Sequence, residues 1–310
     1  MKSESKMYVI KHPTIEDAQA VTNLVSLCDI EEIGEPDITL SDVLDLWQSI
    51  PIETNVWIVL SEANKLIGYA FLEERGANRL DTCVFVNPAF KNQGIASILL
   101  QKVEQRAAVI IKNKEGELKL MNHIPFTNTA AINLAVNSGY TFSRLYERMR
   151  IQLEGPPNVP LLPDNIVIQP FQPDRDEEIL FSLYDDTFRD AWGYAQKDGA
   201  TWMAQKKGDN YDASLWFIVW REDQPAGFLM STMHDDGLFI DLVGVKREYR
   251  KHGIGEALLL HAFSLAYKRQ QSTILLYVDS DSLTNANRLY QKVGMRPHSQ
   301  SAVYVKNLTC

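Results

Sequence analysis

Arg250, Lys251 and His252 stand directly before Gly253-Ile254-Gly255, and an apolar helical pattern follows at once. This order of residue types suits an anion. A helix N-terminus presents unpaired N–H groups and a partial positive charge. Glycine takes φ > 0 and lets a ligand approach the backbone. The basic side chains add donors beside the turn. The same glycines also fit a second use, the close packing of a strand against a helix. The stretch KNQGIASILLQKVE, residues 91–104, repeats the pattern in the first half. There Lys91, Asn92, Gln93, Gly94, Ile95 and Ala96 hold the corresponding places.

Other phosphate motifs fit poorly. No GxxxxGK[ST] occurs, and Leu258 stands where a dinucleotide fingerprint needs its third glycine. The six histidines form no HExxH, and no GxSxG is present. DSDSL from Asp279 starts like a calcium loop, but Thr284 and Tyr290 fill the places of its Gly and Glu. Cys28, Cys83 and Cys310 make no spaced metal set, so no metal is expected and the thiols read as reduced, in a cytoplasmic protein.

The 310 residues suffice for two ordinary domains, with 45% apolar and 23% charged residues, as in globular proteins. A net charge of −9 argues against nonspecific nucleic-acid binding and tolerates a cationic substrate. The N-terminal stretch lacks the apolar core of a signal peptide. No apolar run approaches the ~18 residues of a membrane span, so no membrane partner is expected.

The elements that must position the glycine turns recur in the same order in both halves. A strand (residues 7–13) and a helical pattern (15–28) lead to paired strands at 55–62 and 65–74, joined by a polar turn at Asn64. A strand stretch at 79–90, the turn, and a helix over about 94–109 follow. A strand at 117–124, a short helix at 128–139 and a hairpin of strands close the half. The second half runs through a strand at 165–171, a helix at 176–192, paired strands at 214–223 and 225–233, and a strand at 237–245. A helix over about 253–269, a strand at 272–280, a helix at 285–294 and a strand at 301–308 complete it. Four of the thirteen prolines fall in residues 153–165, which reads as an extended linker. The division expected is residues 1–154, a linker at 155–164, and residues 165–310.

RKHGIG resembles the R/Q-x-x-G-x-G/A acetyl-CoA loop of the GCN5-related N-acetyltransferase (GNAT) superfamily. ANRLYQKVGM, about forty residues on, resembles its second signature, A-x-x-L-Y-x-x-x-G-F. The first half carries KNQGIA and then NTAAINLAVNSGY, so the resemblance spans nearly the whole chain. It implies an α/β (α+β) chain of two tandem GNAT domains. Each would have a mixed, mostly antiparallel sheet flanked by helices, with one parallel strand pair splayed apart. Pantetheine would enter the splay as a substitute strand against backbone of Val243, Gly244 and Val245. Val84, Phe85 and Val86 match these in the first half. The pyrophosphate would sit over Arg250 to Gly255, and over Lys91 to Ala96 if the first copy binds.

The implied reaction moves an acetyl group from acetyl-CoA to a primary amine of a small molecule or peptide. It needs a base for the amine and a proton for the leaving thiolate. The resemblance assigns the acid to Tyr290, whose phenol suits that task; without the motif it reads as a core tyrosine. The Glu that many members place six residues before Val245 is Phe239 here. Asp241, two residues on, shares that face by alternation and is the candidate base; pairing within the sheet explains it equally. Asp235 and Asp236 are weaker candidates. Asp185, Asp186 and Asp190 could attract a cationic amine, although a solvated helix face explains them more simply. Phe188, Trp192 and Tyr194 suit either a pocket wall or the core.

The copies differ where chemistry would suffer. Ala135 stands at the place of Tyr290 and cannot donate a proton, whereas Tyr140 belongs after the signature Gly, where an aromatic packs. The expectation is a catalytic second domain and a first domain that keeps at most a binding role. A noncatalytic acyl-CoA-binding or sensor protein is the alternative. An O-acetyltransferase or a longer acyl donor also fits.

Overall fold

Apolar alternation in both halves builds strand meanders that end in a glycine turn and a long helix. The computed structural model describes residues 8–309 apart from 77, 115, 159–161, 163, 164, 193, 195, 209, 235 and 282–285. Its elements are β1 (Val9–Lys11), α1 (Ala18–Ile33), α2 (Leu40–Ser49), α3 (Ile52–Asn55), β2 (Val56–Leu60), β3 (Leu66–Glu74), β4 (Arg79–Val86), α4 (Ile95–Ile111), β5 (Leu118–Pro125), α5 (Thr129–Asn137) and β6 (Thr141–Gln152). They continue with β7 (Ile166–Pro170), α6 (Glu177–Phe188), α7 (Gly199–Lys206), β8 (Phe217–Arg221), β9 (Gln224–His234), β10 (Gly237–Val245), α8 (Ile254–Lys268), β11 (Thr273–Asp279), α9 (Ala286–Lys292) and β12 (Arg296–Leu308).

The chain forms two compact units, residues 1–145 with 300–310, and residues 146–299. In unit 1 the strand order is β1-β2-β3-β4-β5-β12, and in unit 2 it is β7-β8-β9-β10-β11-β6. Within each sheet one pair is parallel, β4 with β5 and β10 with β11, and the rest are antiparallel. Each sheet therefore ends on a strand from the other sequence half. Ser301–Leu308 pair with β5, and Tyr146–Gln152 pair with β11. The boundaries fall inside β6 and β12, not at the proline segment. Of that segment, residues 159–161, 163 and 164 lie outside the described residues.

Two sequence expectations change. The hairpin expected after α5 is one strand of twelve residues, β6. TFSRLYERMRIQ holds no Gly, Pro, Asn or Asp to make a tight turn. Helices α2 and α7 are additions to the elements expected from sequence. Thr39 and Asp42 form a capping box at α2, which buries Val43 and Trp47. At α7, the Asp198 carboxylate accepts the Thr201 N–H at 2.8 Å, and Trp202 and Met203 are buried.

The cores explain why the helices hold. In unit 1, α4 presents Ile95, Leu99, Leu100, Val103 and Ala107 to one buried cluster with Leu72, Leu80 and Leu120. A second cluster joins Val21, Leu24, Val25 and Cys28 of α1 to Val43 and Trp47 of α2. In unit 2, Ile254, Leu258, Leu259, Ala262 and Phe263 of α8 belong to one cluster with Ile240, Ile274 and Leu276 of the sheet. Burial on this scale dominates the stability of such sheets and helices.

Candidate active site

Strands β10 and β11 pair in parallel only at Leu238↔Ile274 and Phe239↔Leu275. Beyond them β10 continues along β9 as far as Val245↔Gly227. The edge of Val243, Gly244 and Val245 that faced β11 is thereby released, as a substitute strand requires. In unit 1 the parallel register runs from Arg79↔Lys119 to Thr82↔Asn122, and Val84, Phe85 and Val86 lie beyond it. Gly244 is small for a packing reason. A Cβ there would meet Thr187 Oγ1 of α6 at 2.6 Å.

Gly253 caps α8 with φ +78°, and Lys251 also has positive φ, +66°. In unit 1 Gly94 (φ +81°) and Asn92 (φ +60°) repeat the geometry. Ala257 N–H donates to Gly253 O at 3.0 Å, closing the first helical bond. The N–H groups of Ile254, Gly255 and Glu256 precede it, at the positive end of the helix. Nothing lies within 4 Å of where a Gly253 Cβ would stand. Lys251 and His252 are exposed, while the Ile254 side chain is core. Gly255 has a different reason to be small: its Cβ would meet Leu289 Cδ2 of α9 at 2.9 Å. Arg250 braces the strand end, its Nε donating to the Val245 carbonyl at 2.9 Å.

Tyr290 is buried on α9 and belongs to the unit 2 core cluster. Burial pushes its phenol up to about 12. Ala135 is fully buried at the matching place in unit 1. Tyr140 is also buried there, with Lys306 Nζ 5.5 Å from its ring centre, as expected of a packing aromatic.

Asp241 is the extra residue of a β-bulge. Ile240 pairs with Ser231 and Leu242 with Met230, leaving Asp241 between them. Its carboxylate accepts Thr232 Oγ1 at 2.7 Å. Thr232 is the cross-strand partner of Phe239, so Asp241 reaches the face that alternation assigned to it. The residue keeps contact with solvent, yet the protein packed around its carboxyl raises the pKa. The Thr232 bond and the charges of Lys206 and His234 oppose that rise. Phe239 lies 5.7 Å from Tyr277 and 6.3 Å from His234, ring centre to ring centre. Tyr277 is 51% exposed. The sequence reading missed this aromatic wall, because its members come from three strands.

The other acidic candidates are engaged. Tyr194 donates its hydroxyl to Asp185, Arg189 lies 3.0 Å from Asp186, and Arg247 pairs with Asp190. Phe188 stacks on Tyr184 at 5.4 Å and packs towards Phe228. Trp192 is half-buried. Asp236 lies 3.7 Å from Arg148 Nη2. Asp235, Thr284 and Cys310 lie outside the described residues.

Unit 1 holds a carboxylate the sequence reading also missed. The register puts Asp81 opposite Glu73, where unit 2 has Phe239 opposite Thr232. Burial would raise its carboxyl, but hydrogen bonds from His123 and Arg79 outweigh it and hold the pKa at about 2. Arg79 Nε and Nη2 stand 2.6 and 2.5 Å from it. Unit 1 thus has a carboxylate locked in an ion pair, and no tyrosine at Ala135. Among the described residues, no group of three or more His, Cys, Asp or Glu could hold a metal. Among them, too, no helix is long and apolar enough to cross a membrane.

Residues 178–295 match the Acetyltransferase (GNAT) family, and residues 53–149 match the Acetyltransferase (GNAT) domain. Mycothiol acetyltransferase of Thermobispora bispora is 28% identical over 80% of this chain and 82% of its own length. That of Catenulispora acidiphila is 25% identical over 96% and 97%. A GCN5-related N-acetyltransferase from Sphaerobacter thermophilus superimposes with a TM-score of 0.88 at 26% identity, over 97% of this chain and 95% of that one. A tandem GNAT protein from the clavulanic acid biosynthesis pathway shares the fold, with a TM-score of 0.74 at 14% identity over 97% and 98% of the two chains.

Proposed function

The chain belongs to the GNAT superfamily as an acetyl-CoA-dependent acyltransferase of tandem type, and we propose that unit 2 carries its catalysis, on a primary amine of a small molecule or peptide. The observation that carries this reading is the contrast between Tyr290 and Ala135 at matching places of the second signature.

In the proposed reaction the amine nitrogen attacks the thioester carbonyl carbon and a C–N bond forms. Asp241 accepts the amine proton, directly or through water. A raised carboxyl pKa moves it towards the range useful for a base at neutral pH. The carbon–sulfur bond then breaks and the electron pair leaves on sulfur. The Tyr290 phenol faces a thiol of pKa about 8.5, so at about 12 it is the weaker acid. Its main contribution is therefore a hydrogen bond to the developing negative charge; the thiolate takes a proton from solvent, and Asp241 returns the amine's proton to solvent, as the products leave.

The aromatic wall of Phe239 and Tyr277 sits on the face that Asp241 shares, and supports an acceptor with an apolar or ring surface beside its amine. The curated relatives are named for mycothiol. Their acceptor belongs to them, and the phenylalanine at Phe239, where many family members have a Glu, gives a reason to test a broad range of amines here. A thiol-release assay with a panel of amino sugars, polyamines, amino acids and peptide N-termini tests the reading. Release that depends on one class of amine supports it. Binding of acetyl-CoA with no amine-dependent release across the panel favours the sensor alternative.

A further inference from the structure

The turn of unit 1 keeps the backbone of an anion site, but its lysine is engaged. Lys91 Nζ pairs with Glu31 and lies 3.4 Å from Glu32. Both acids stand in the last turn of α1, which ends at Gly34 with φ +89°. Carboxylates at a helix C-terminus oppose the helix dipole, so this placement needs donors nearby.

Glu32 has them on both sides of the splay. Lys91 follows β4. Thr127 and Asn128 follow β5, and each donates to the Glu32 carboxylate at 2.9 Å. The Asn128 amide is held for this task, because its Oδ1 caps α5 by accepting the Ala131 N–H at 2.9 Å. The Glu32 side chain is only 11% exposed. Next to it, Cys28 Sγ donates to the Val86 carbonyl at 3.4 Å, on the stretch expected to pair with pantetheine. In unit 2 the matching Val245 carbonyl is met by Arg250 from the turn itself. Among the described residues, no carboxylate forms an ion pair with Arg250.

We propose that Glu32 closes the unit 1 cleft as an internal anion, bridging the ends of β4 and β5, so that the chain binds acetyl-CoA in unit 2 alone. A pyrophosphate brought to the Lys91 turn would meet like charge, and would have to displace Glu31 and Glu32 from Lys91. The proposal rests on the turn of unit 2 being the acetyl-CoA site.

Hydrogen–deuterium exchange of the full chain with and without acetyl-CoA tests both levels, and calorimetry counts the sites. The expected result is protection of residues 250–256, none at 91–96, and one molecule bound per chain. The double variant Glu31→Gln with Glu32→Gln, shown folded by circular dichroism, should gain protection at 91–96 and a second, salt-sensitive site. Protection of 91–96 in the wild type overturns the closure, and needs no variant to be seen. A folded double variant that gains no site overturns the role given to the carboxylates. Absence of protection at 250–256 overturns the reading of unit 2 on which the closure rests.

Discussion

Thr232 Oγ1 donates to the Asp241 carboxylate at 2.7 Å, across the bulge where Asp241 is the unpaired residue of β10. The bond favours the ionised carboxyl, while the surrounding protein disfavours it more and the pKa is raised. As a base, Asp241 must be ionised, so kcat/KM should fall as pH drops through its raised pKa. Thr232→Val removes the bond and should move this acid limb to higher pH. An unmoved limb would assign it to another group.

Asp241→Asn should depress kcat/KM mostly at pH values below the pKa of the amine itself. An amine that is already neutral needs no base. The stability sign runs the other way. A carboxyl whose folded pKa is raised stabilises while protonated, and that contribution is lost as pH rises through the folded pKa. The variant should therefore melt no lower than the wild type at neutral pH. A pH-independent loss of activity with a lowered melting temperature would mark Asp241 as structural.

Tyr290→Phe should lower kcat by roughly 10²–10³, the loss expected for one hydrogen-bond donor to the developing charge, with little change in acetyl-CoA affinity. Single-turnover acetyl transfer reads the chemical step apart from product release. An unchanged single-turnover rate would remove the phenol from the mechanism.

Asp81 gives a pH effect on stability alone. Its carboxyl is held at about 2 against an ordinary 3.8, a difference of about 2 kcal/mol. A depressed pKa stabilises above the unfolded value, and the benefit is lost as pH falls from 3.8 towards 2. Asp81→Asn should therefore cost about 2 kcal/mol at neutral pH, and much less near pH 2. Urea unfolding of both proteins at the two pH values checks this.

Gly255→Ala should change stability by less than about 1 kcal/mol, because the new methyl meets only the end of the Leu289 side chain at 2.9 Å and alanine favours the helix by a similar amount. Unit 1 already carries Ala96 at this place. Acetyl-CoA affinity should change little, and calorimetry on the variant reads it. A large loss of affinity would show that binding needs the bare Cα of Gly255 and not its N–H alone.

The glycine turns were legible because positive φ restricts residue type, and Gly94 and Gly253 stand where it is needed. The helices after them were legible from their apolar spacing. The bulge at Asp241 was not, since one inserted residue leaves the run of apolar residues in GLFIDLVGV intact. The same offset hid the match between Asp81 and Phe239. Strand exchange left no trace in β6 or β12, because a strand's own sequence does not name its partner. The Glu32 bridge joins residues 59 and 96 positions apart, beyond any local pattern.

The claim that unit 2 is the enzyme is tested most directly by steady-state turnover of Gly253→Val beside Gly94→Val. The two sites are a matched pair. Both cap a helix at nearly equal positive φ, with open space where a side chain would go. A β-branched residue strains each by a similar ~1–2 kcal/mol, so a difference between the variants reports function. Gly253→Val should obstruct the pyrophosphate and abolish amine-dependent thiol release, while Gly94→Val keeps most of it. Loss of turnover in the Gly94 variant with turnover kept in the Gly253 variant would contradict the account and place the catalysis in unit 1.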